Sequence, residues 1–219
     1  MKIVVLTGSP HAQGTTALLA DEFSESAKSA GHEIARFDTA KLDIRPCIAC
    51  SHCREHNGAC VHGDDMRQIY PRLSAADAVV FVTPLYYFGM SAQLKKAVDR
   101  FYAINSALRG TPKKALLIAA GADTEEWAMA ALKAHMENVC RYLNWQLSGM
   151  LFAFGAGSRE DVEHSAYRAA ARELWKIYRS ARGRRRNGRI HKKPAPAVGA
   201  AGAGSRNKSA KTAFAFIYP

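Results

Sequence analysis

A chain of 219 residues, 48% of them apolar, can bury one core of ordinary size, which excludes a disordered chain. Its net charge of +12 first suggests nucleic acid, but residues 1–180 hold 21 basic and all 19 acidic residues, while 181–219 hold 10 basic residues and no acid. The body is close to neutral, so the charge belongs to an extension and not to a binding face.

The chain opens Met1-Lys2 and then Ile3-Val4-Val5-Leu6, too short an apolar run for a signal-peptide core. No apolar run is long enough to span a bilayer, so a cytoplasmic location with reduced thiols and no membrane partner is expected. Lys2–Thr7 reads as a buried parallel strand, and 15–30, with Leu18, Leu19, Phe23 and Ala27 at helical spacing, as a helix stopping at Gly31. A second strand follows over 33–37, then an irregular cysteine-bearing stretch over 40–63, then a helix over 64–74 that Pro71 should kink or end early. The most apolar strand is 78–83, followed by a long amphipathic helix over 91–108. Strands at 114–120 and 147–154 and helices at 124–145 and 159–179 complete the alternation. Five strands each followed by a helix predict a three-layer α/β/α domain over 1–180, with a parallel five-stranded sheet in the order 2-1-3-4-5. The remainder, 181–219, begins as a basic run and continues in Pro/Ala/Gly low complexity, and is expected to be an unfolded tail.

Ligands of such a sheet bind beyond the C-terminal strand ends where the order reverses, and three loops there are unusual. After the first strand, Gly8-Ser9-Pro10-His11-Ala12-Gln13-Gly14-Thr15-Thr16 opens directly into a helix. Small residues, hydroxyls and a helix N-terminus suit a terminal monophosphate, although the loop lacks the Walker and dinucleotide patterns. Taken alone it also reads as an ordinary helix cap. After the third strand, Pro84-Leu85-Tyr86-Tyr87-Phe88-Gly89 offers three consecutive aromatics, either a wall for a planar ring or residues buried under the next helix or in a subunit contact. After the fourth, Gly121 allows close backbone approach.

The stretches GSPHAQGTTALLAD and DDMRQIYPRLSAADAVVFVTPLYYFGMSAQLKKAVDRF resemble the NAD(P)H-dependent FMN reductases of the flavodoxin-like fold, in particular their iron–sulfur flavoprotein branch. The resemblance runs to about residue 180 and is most specific in TPLYYFGMSAQLKKAVDR. It implies an FMN phosphate at Ser9, His11, Gly14, Thr15 and Thr16, an isoalloxazine bordered by Pro84, Leu85, Tyr86 and Phe88, and a further contact near Gly121. Thr15 stands where that family usually has Asn, and His11 where it usually has Arg, the latter weakening the expected hold on the phosphate.

Cys47, Cys50, Cys53 and Cys60 place four soft ligands in one compact loop. Three at CxxCxxC spacing are like the ferredoxin run around a cubane cluster; a zinc site or a metal-free loop are the other readings. The resemblance implies a [4Fe–4S] cluster on all four. It also implies NAD(P)H as co-substrate, a quinone, another small molecule or a ferredoxin-type carrier as electron partner, and a homodimer or homotetramer. The expected activity is that of an FMN-dependent NAD(P)H oxidoreductase, with chemistry on the flavin and no catalytic side chain. An iron–sulfur flavoprotein electron carrier fed by ferredoxin, or a non-catalytic FMN-binding module, is the alternative. Nucleic acid would engage only the basic tail and is not expected as a main partner.

Overall fold

The computed structural model of the protein describes residues 1–178 and 214–217. Strand β1 (Lys2–Thr7) leads into helix α1 (Thr15–Ser29) and strand β2 (Glu33–Asp38). The cysteine loop holds one short helix, α2 (His52–Glu55), before α3 (Met66–Ala75). Strand β3 (Ala78–Tyr86) turns back on the two-residue β4 (Gly89–Met90), and α4 (Ala92–Asp99), a 3-10 segment (Arg100–Ile104) and α5 (Asn105–Gly110) follow. Strand β5 (Lys114–Ala120) is followed by a 3-10 turn (Glu126–Met129) and α6 (Ala130–Leu143). Strand β6 (Gln146–Ala153), α7 (Arg159–Glu163), α8 (Ala166–Glu173), a 3-10 turn (Leu174–Lys176) and strand β7 (Phe214–Ile217) complete the order.

The sheet runs β2-β1-β3-β5-β6-β7. Its first five members are parallel, which is the expected 2-1-3-4-5 order. Along β1 the side chains alternate between two cores: Val4 and Leu6 pack with α3, α4, α5 and α6, while Ile3 and Val5 pack with α1, α7 and α8. Burying both faces explains the near-continuous apolar runs of β1, β3 and β5, whereas the outer strand β2 is only half-buried. Trp145 and Trp175 are buried, and each indole N–H is satisfied, by the Leu108 carbonyl at 3.0 Å and Ser26 Oγ at 2.8 Å.

Several expectations are corrected. Pro71 neither ends nor shortens α3, which runs to Ala75. The single helix expected over 91–108 is broken at Arg100, whose side chain turns into the interior. The last helix is divided because the Ser165 hydroxyl caps a new one at Tyr167 N. Residues 84–90, expected as a loop, are a hairpin. Residues Phe214–Ile217, expected within an unfolded tail, pair antiparallel with β6 as an edge strand; the remainder of that tail, 181–213 and 218–219, lies outside the described residues. No described helix is long and apolar enough to cross a membrane.

Candidate functional site at the carboxyl edge of the sheet

The ends of β1 and β3 are stitched together by one buried hydroxyl. Ser91 Oγ donates to the Gly8 carbonyl at 2.7 Å and accepts from Leu94 N, so the same atom caps α4. The Ser91 N–H in turn donates to Thr83 Oγ1 at 2.9 Å, and Gly8 N donates to the Val82 carbonyl at 2.8 Å. Only glycine permits this approach: a Cβ on Gly8 would lie 2.6 Å from Leu94 Cβ.

Beyond Gly8, the His11 N–H donates to Ser9 Oγ at 3.1 Å and the Gly14 N–H to the His11 carbonyl at 3.1 Å. The loop is thereby folded tightly against the start of α1. No side chain caps that helix and its first turn holds no acid, so its opening N–H groups and positive dipole end are available to an anion. Of the residues expected here, Ser9, Gly14 and Thr15 are half-buried and His11 is exposed. Thr16 is buried, which leaves its backbone N–H as its contribution. The arrangement fits a phosphate in donor type, though its charge is thin.

The hairpin joining β3 to β4 turns on Tyr87 and Phe88 alone, at φ 46° and 63°. Two-residue turns of this kind normally use Asn or Gly, and left-handed backbone costs a bulky residue about 1–2 kcal/mol. The turn leaves Tyr86, Tyr87 and Phe88 exposed. Phe88 packs against Trp127, with ring centroids 5.1 Å apart, and Trp127 is itself 61% exposed. Trp127 thereby extends the aromatic shelf formed by the hairpin. Leu85 leans over the β5 loop, where a Cβ on Gly121 would come within 3.1 Å of Leu85 Cβ. Pro84 is buried within the ladder opposite Ala120 and offers no side-chain surface. Ser9, Gly14, Thr15, Leu85, Tyr86, Phe88 and Gly121 therefore lie at or beyond the C-terminal ends of the neighbouring strands β1, β3 and β5.

Cys47, Cys50, Cys53 and Cys60 are free thiols lining one cavity of about 410 Å³, together with His62, Arg100 and Tyr102. Three non-glycine residues of this loop, Ala49, Ser51 and Asn57, have left-handed backbone. The surrounding fold over-determines that strain. Asp43 N bonds Asp65 Oδ2 at 2.8 Å and Asp65 N bonds the Asp43 carbonyl at 3.0 Å, zipping the two ends of the loop. Arg100, 1% exposed, holds Asp64 through both its terminal nitrogens, at 2.6 and 3.0 Å, and also donates to the Arg45 carbonyl at 2.8 Å. Asp64 and Arg100 lie 36 residues apart, a pairing that no spacing in the sequence signals.

Burial alone would raise the Asp64 carboxyl, but Arg100 and the Arg45 N–H hold it below the usual carboxylate range. Burial opposes the Arg100 charge, yet Asp64 keeps it above its ordinary value. The four thiols suit a cluster in kind and number. Among the described residues, however, no three Cys, His, Asp or Glu side chains are grouped closely enough to hold a metal ion. Cys140 stands apart, buried in α6, where burial pushes its thiol up to about 12.

A model of the NADPH-dependent FMN reductase family matches residues 1–157. The chain belongs to that family. Among curated relatives, an iron–sulfur flavoprotein of Methanocaldococcus jannaschii is 36% identical over 100 residues, covering 46% of this chain and 51% of that protein. The chain thus spans about half the length of that relative. A second from the same organism, also named an iron–sulfur flavoprotein, is 33% identical over 61% of this chain and 68% of its own. A putative NAD(P)H-dependent FMN-containing oxidoreductase of Bacillus subtilis is 28% identical over 80% and 97%. The FMN-reductase fold recurs in an NAD(P)H:quinone oxidoreductase of Methanothermobacter marburgensis, with a TM-score of 0.59, 20% identity and coverage of 86% of this chain and 98% of that one. It recurs also in an NADH:FMN oxidoreductase, with a TM-score of 0.60, 20% identity and coverage of 82% and 88%.

Proposed function

We propose that the chain is an FMN-dependent NAD(P)H oxidoreductase that hands electrons to a quinone or another small acceptor. The observation that carries this reading is the Ser91–Gly8 stitch, which brings an uncapped helix start alongside the exposed aromatic hairpin. Ser9, Gly14, Thr15 and the opening N–H groups of α1 would bind the FMN phosphate, with Thr16 contributing through its backbone. Leu85, Tyr86 and Phe88 would border the isoalloxazine, with Gly121 admitting Leu85 beside it. FMN, when bound, supplies the hydride and single-electron chemistry, so the protein's work is binding, orientation and electrostatics. No side chain at this edge is needed as an acid or base.

The four loop cysteines support a second element of the proposal, a [4Fe–4S] cluster on Cys47, Cys50, Cys53 and Cys60 serving exchange with a ferredoxin-type carrier. Its support is the shared cavity and the names of the relatives. Assembly as a homodimer or homotetramer is proposed from the exposed Tyr86, Tyr87, Phe88 and Trp127, a patch suited to a subunit contact. A cytoplasmic setting belongs to the same reading.

The test is anaerobic reconstitution followed by iron and sulfide analysis and by NAD(P)H oxidation with a quinone acceptor. Turnover that depends on added FMN is expected. Bound FMN without any turnover would leave a non-catalytic flavin module, and Cys53→Ala retaining full iron would overturn the four-thiolate assignment.

A further inference from the structure

The first loop and the opening of α1 contain no lysine or arginine; between Lys2 and Lys28 the sole basic side chain is His11, which is exposed. A phosphate monoester carries about 1.5 to 2 negative charges at neutral pH, more than a helix end of about half a charge would balance. A full cation nevertheless reaches this loop from the other end of the chain. Arg159, the first residue of α7, extends Nη1 to the carbonyl of Gln13 at 3.3 Å. That carbonyl belongs to the peptide that enters Gly14 and α1.

The placement is fixed locally. Ser158 and Asp161 form a reciprocal capping box, which sets where α7 begins and therefore where Arg159 projects. The box occupies Asp161 Oδ2 with the Ser158 N–H and hydroxyl. Glu163 sits 3.7 Å from Arg159 Nε, a loose pair, and the Arg159 side chain keeps 38% of its surface exposed. Its neighbours Arg168 and Arg172 are committed to Glu22 on the flank of α1 and cannot substitute. Bracing one backbone carbonyl at 3.3 Å needs no positive charge. Holding an anion at the start of α1 does, and a guanidinium carries that charge permanently.

We infer that Arg159 is a binding residue for the phosphate end of the flavin, supplying from α7 the cation that the first loop lacks. This rests on the flavin reading above, and it makes a distinction that reading does not: FMN should be favoured over riboflavin through Arg159. No residue of the predicted loop carries that discrimination by full charge.

The experiment is fluorescence titration of the flavin-free full chain with FMN and, separately, with riboflavin, at two salt concentrations. In Arg159→Ala and Arg159→Gln the FMN affinity is expected to fall about ten-fold or more, while riboflavin affinity stays as in the wild type. Arg159→Lys should fall between. Gln keeps a donor for the Gln13 carbonyl but not the charge, so it separates loop bracing from phosphate binding. The salt dependence of FMN binding should flatten in the Gln variant. An Arg159→Gln protein that binds FMN like the wild type overturns the inference, as does an equal loss for FMN and riboflavin. A wild-type chain that binds neither flavin overturns the flavin reading itself and this inference with it, an outcome distinct from the other two.

Discussion

Removing Arg100 should unfold the protein more than any other single change of a charged residue. Its guanidinium and the Asp64 carboxylate are 1% and 2% exposed and joined by two hydrogen bonds of 2.6 and 3.0 Å. Arg100→Met strands a buried carboxylate with only the Arg45 and Met66 N–H groups for company. Leaving such a charge unpaired costs about 3–5 kcal/mol, a large share of the roughly 5–15 kcal/mol that a domain has. In a domain of this size the loss corresponds to a fall in Tm of roughly 6–20 °C. Asp64→Leu should cost a similar amount. The double variant should cost much less than the sum, because each single change leaves a charge that the other removes. Urea unfolding followed by tryptophan fluorescence measures all four proteins. Because Arg100 and Asp64 also hold both polar groups of Arg45, two residues before Cys47, limited proteolysis of the single variants should begin within 46–63. A cost below about 1 kcal/mol for Arg100→Met, or additive single costs, would refute the reasoning.

Acid should act through the same groups. Glu22, Asp38 and Asp64 all have carboxyls held below their ordinary values: burial alone would raise each, and this is more than offset by arginine partners at Glu22 and Asp64 and by the Thr7 hydroxyl and then Arg36 at Asp38. Their contribution is present above the unfolded carboxyl value near about 4 and is lost as pH falls through the lower folded values, so the urea midpoint should hold at neutral pH and drop below about pH 4. Asp64→Asn, less stable throughout, should show a shallower drop. At the hairpin, Tyr87 is fully exposed at φ 46°, so Tyr87→Asn should raise stability by about 1 kcal/mol in the same assay. Thiol labelling of the native chain under reducing, metal-free conditions should modify four cysteines readily, and Cys140 only on unfolding, since its buried thiol is pushed up to about 12.

The strands and their order were legible because each is a short apolar run between turn residues, and burial of both sheet faces demands little else. The three loops were legible because composition changes sharply at each strand end. What the sequence hid depended on partners distant along the chain. The break at Arg100 looks like continuous amphipathic helix until Asp64 is placed beside it. Tyr87 and Phe88 carry no turn signal, and only the pairing of Leu85 with Met90 forces them into left-handed backbone. Trp127 carries no sequence signal of its exposure, which depends on the 3-10 turn that holds it. Arg159 is an ordinary first-turn residue of a short helix until α7 is packed against the start of α1. The Cys47–Cys60 set was visible by spacing, whereas the strained loop backbone and the Arg45 clamp were not.

The central claim is tested most directly by mixing the purified chain with excess FMN, desalting it and measuring flavin per chain by absorbance. A ratio of roughly one is predicted by the proposal that the uncapped start of α1 and the aromatic hairpin hold one flavin. A colourless protein, with all the flavin left in the small-molecule fraction, would contradict it.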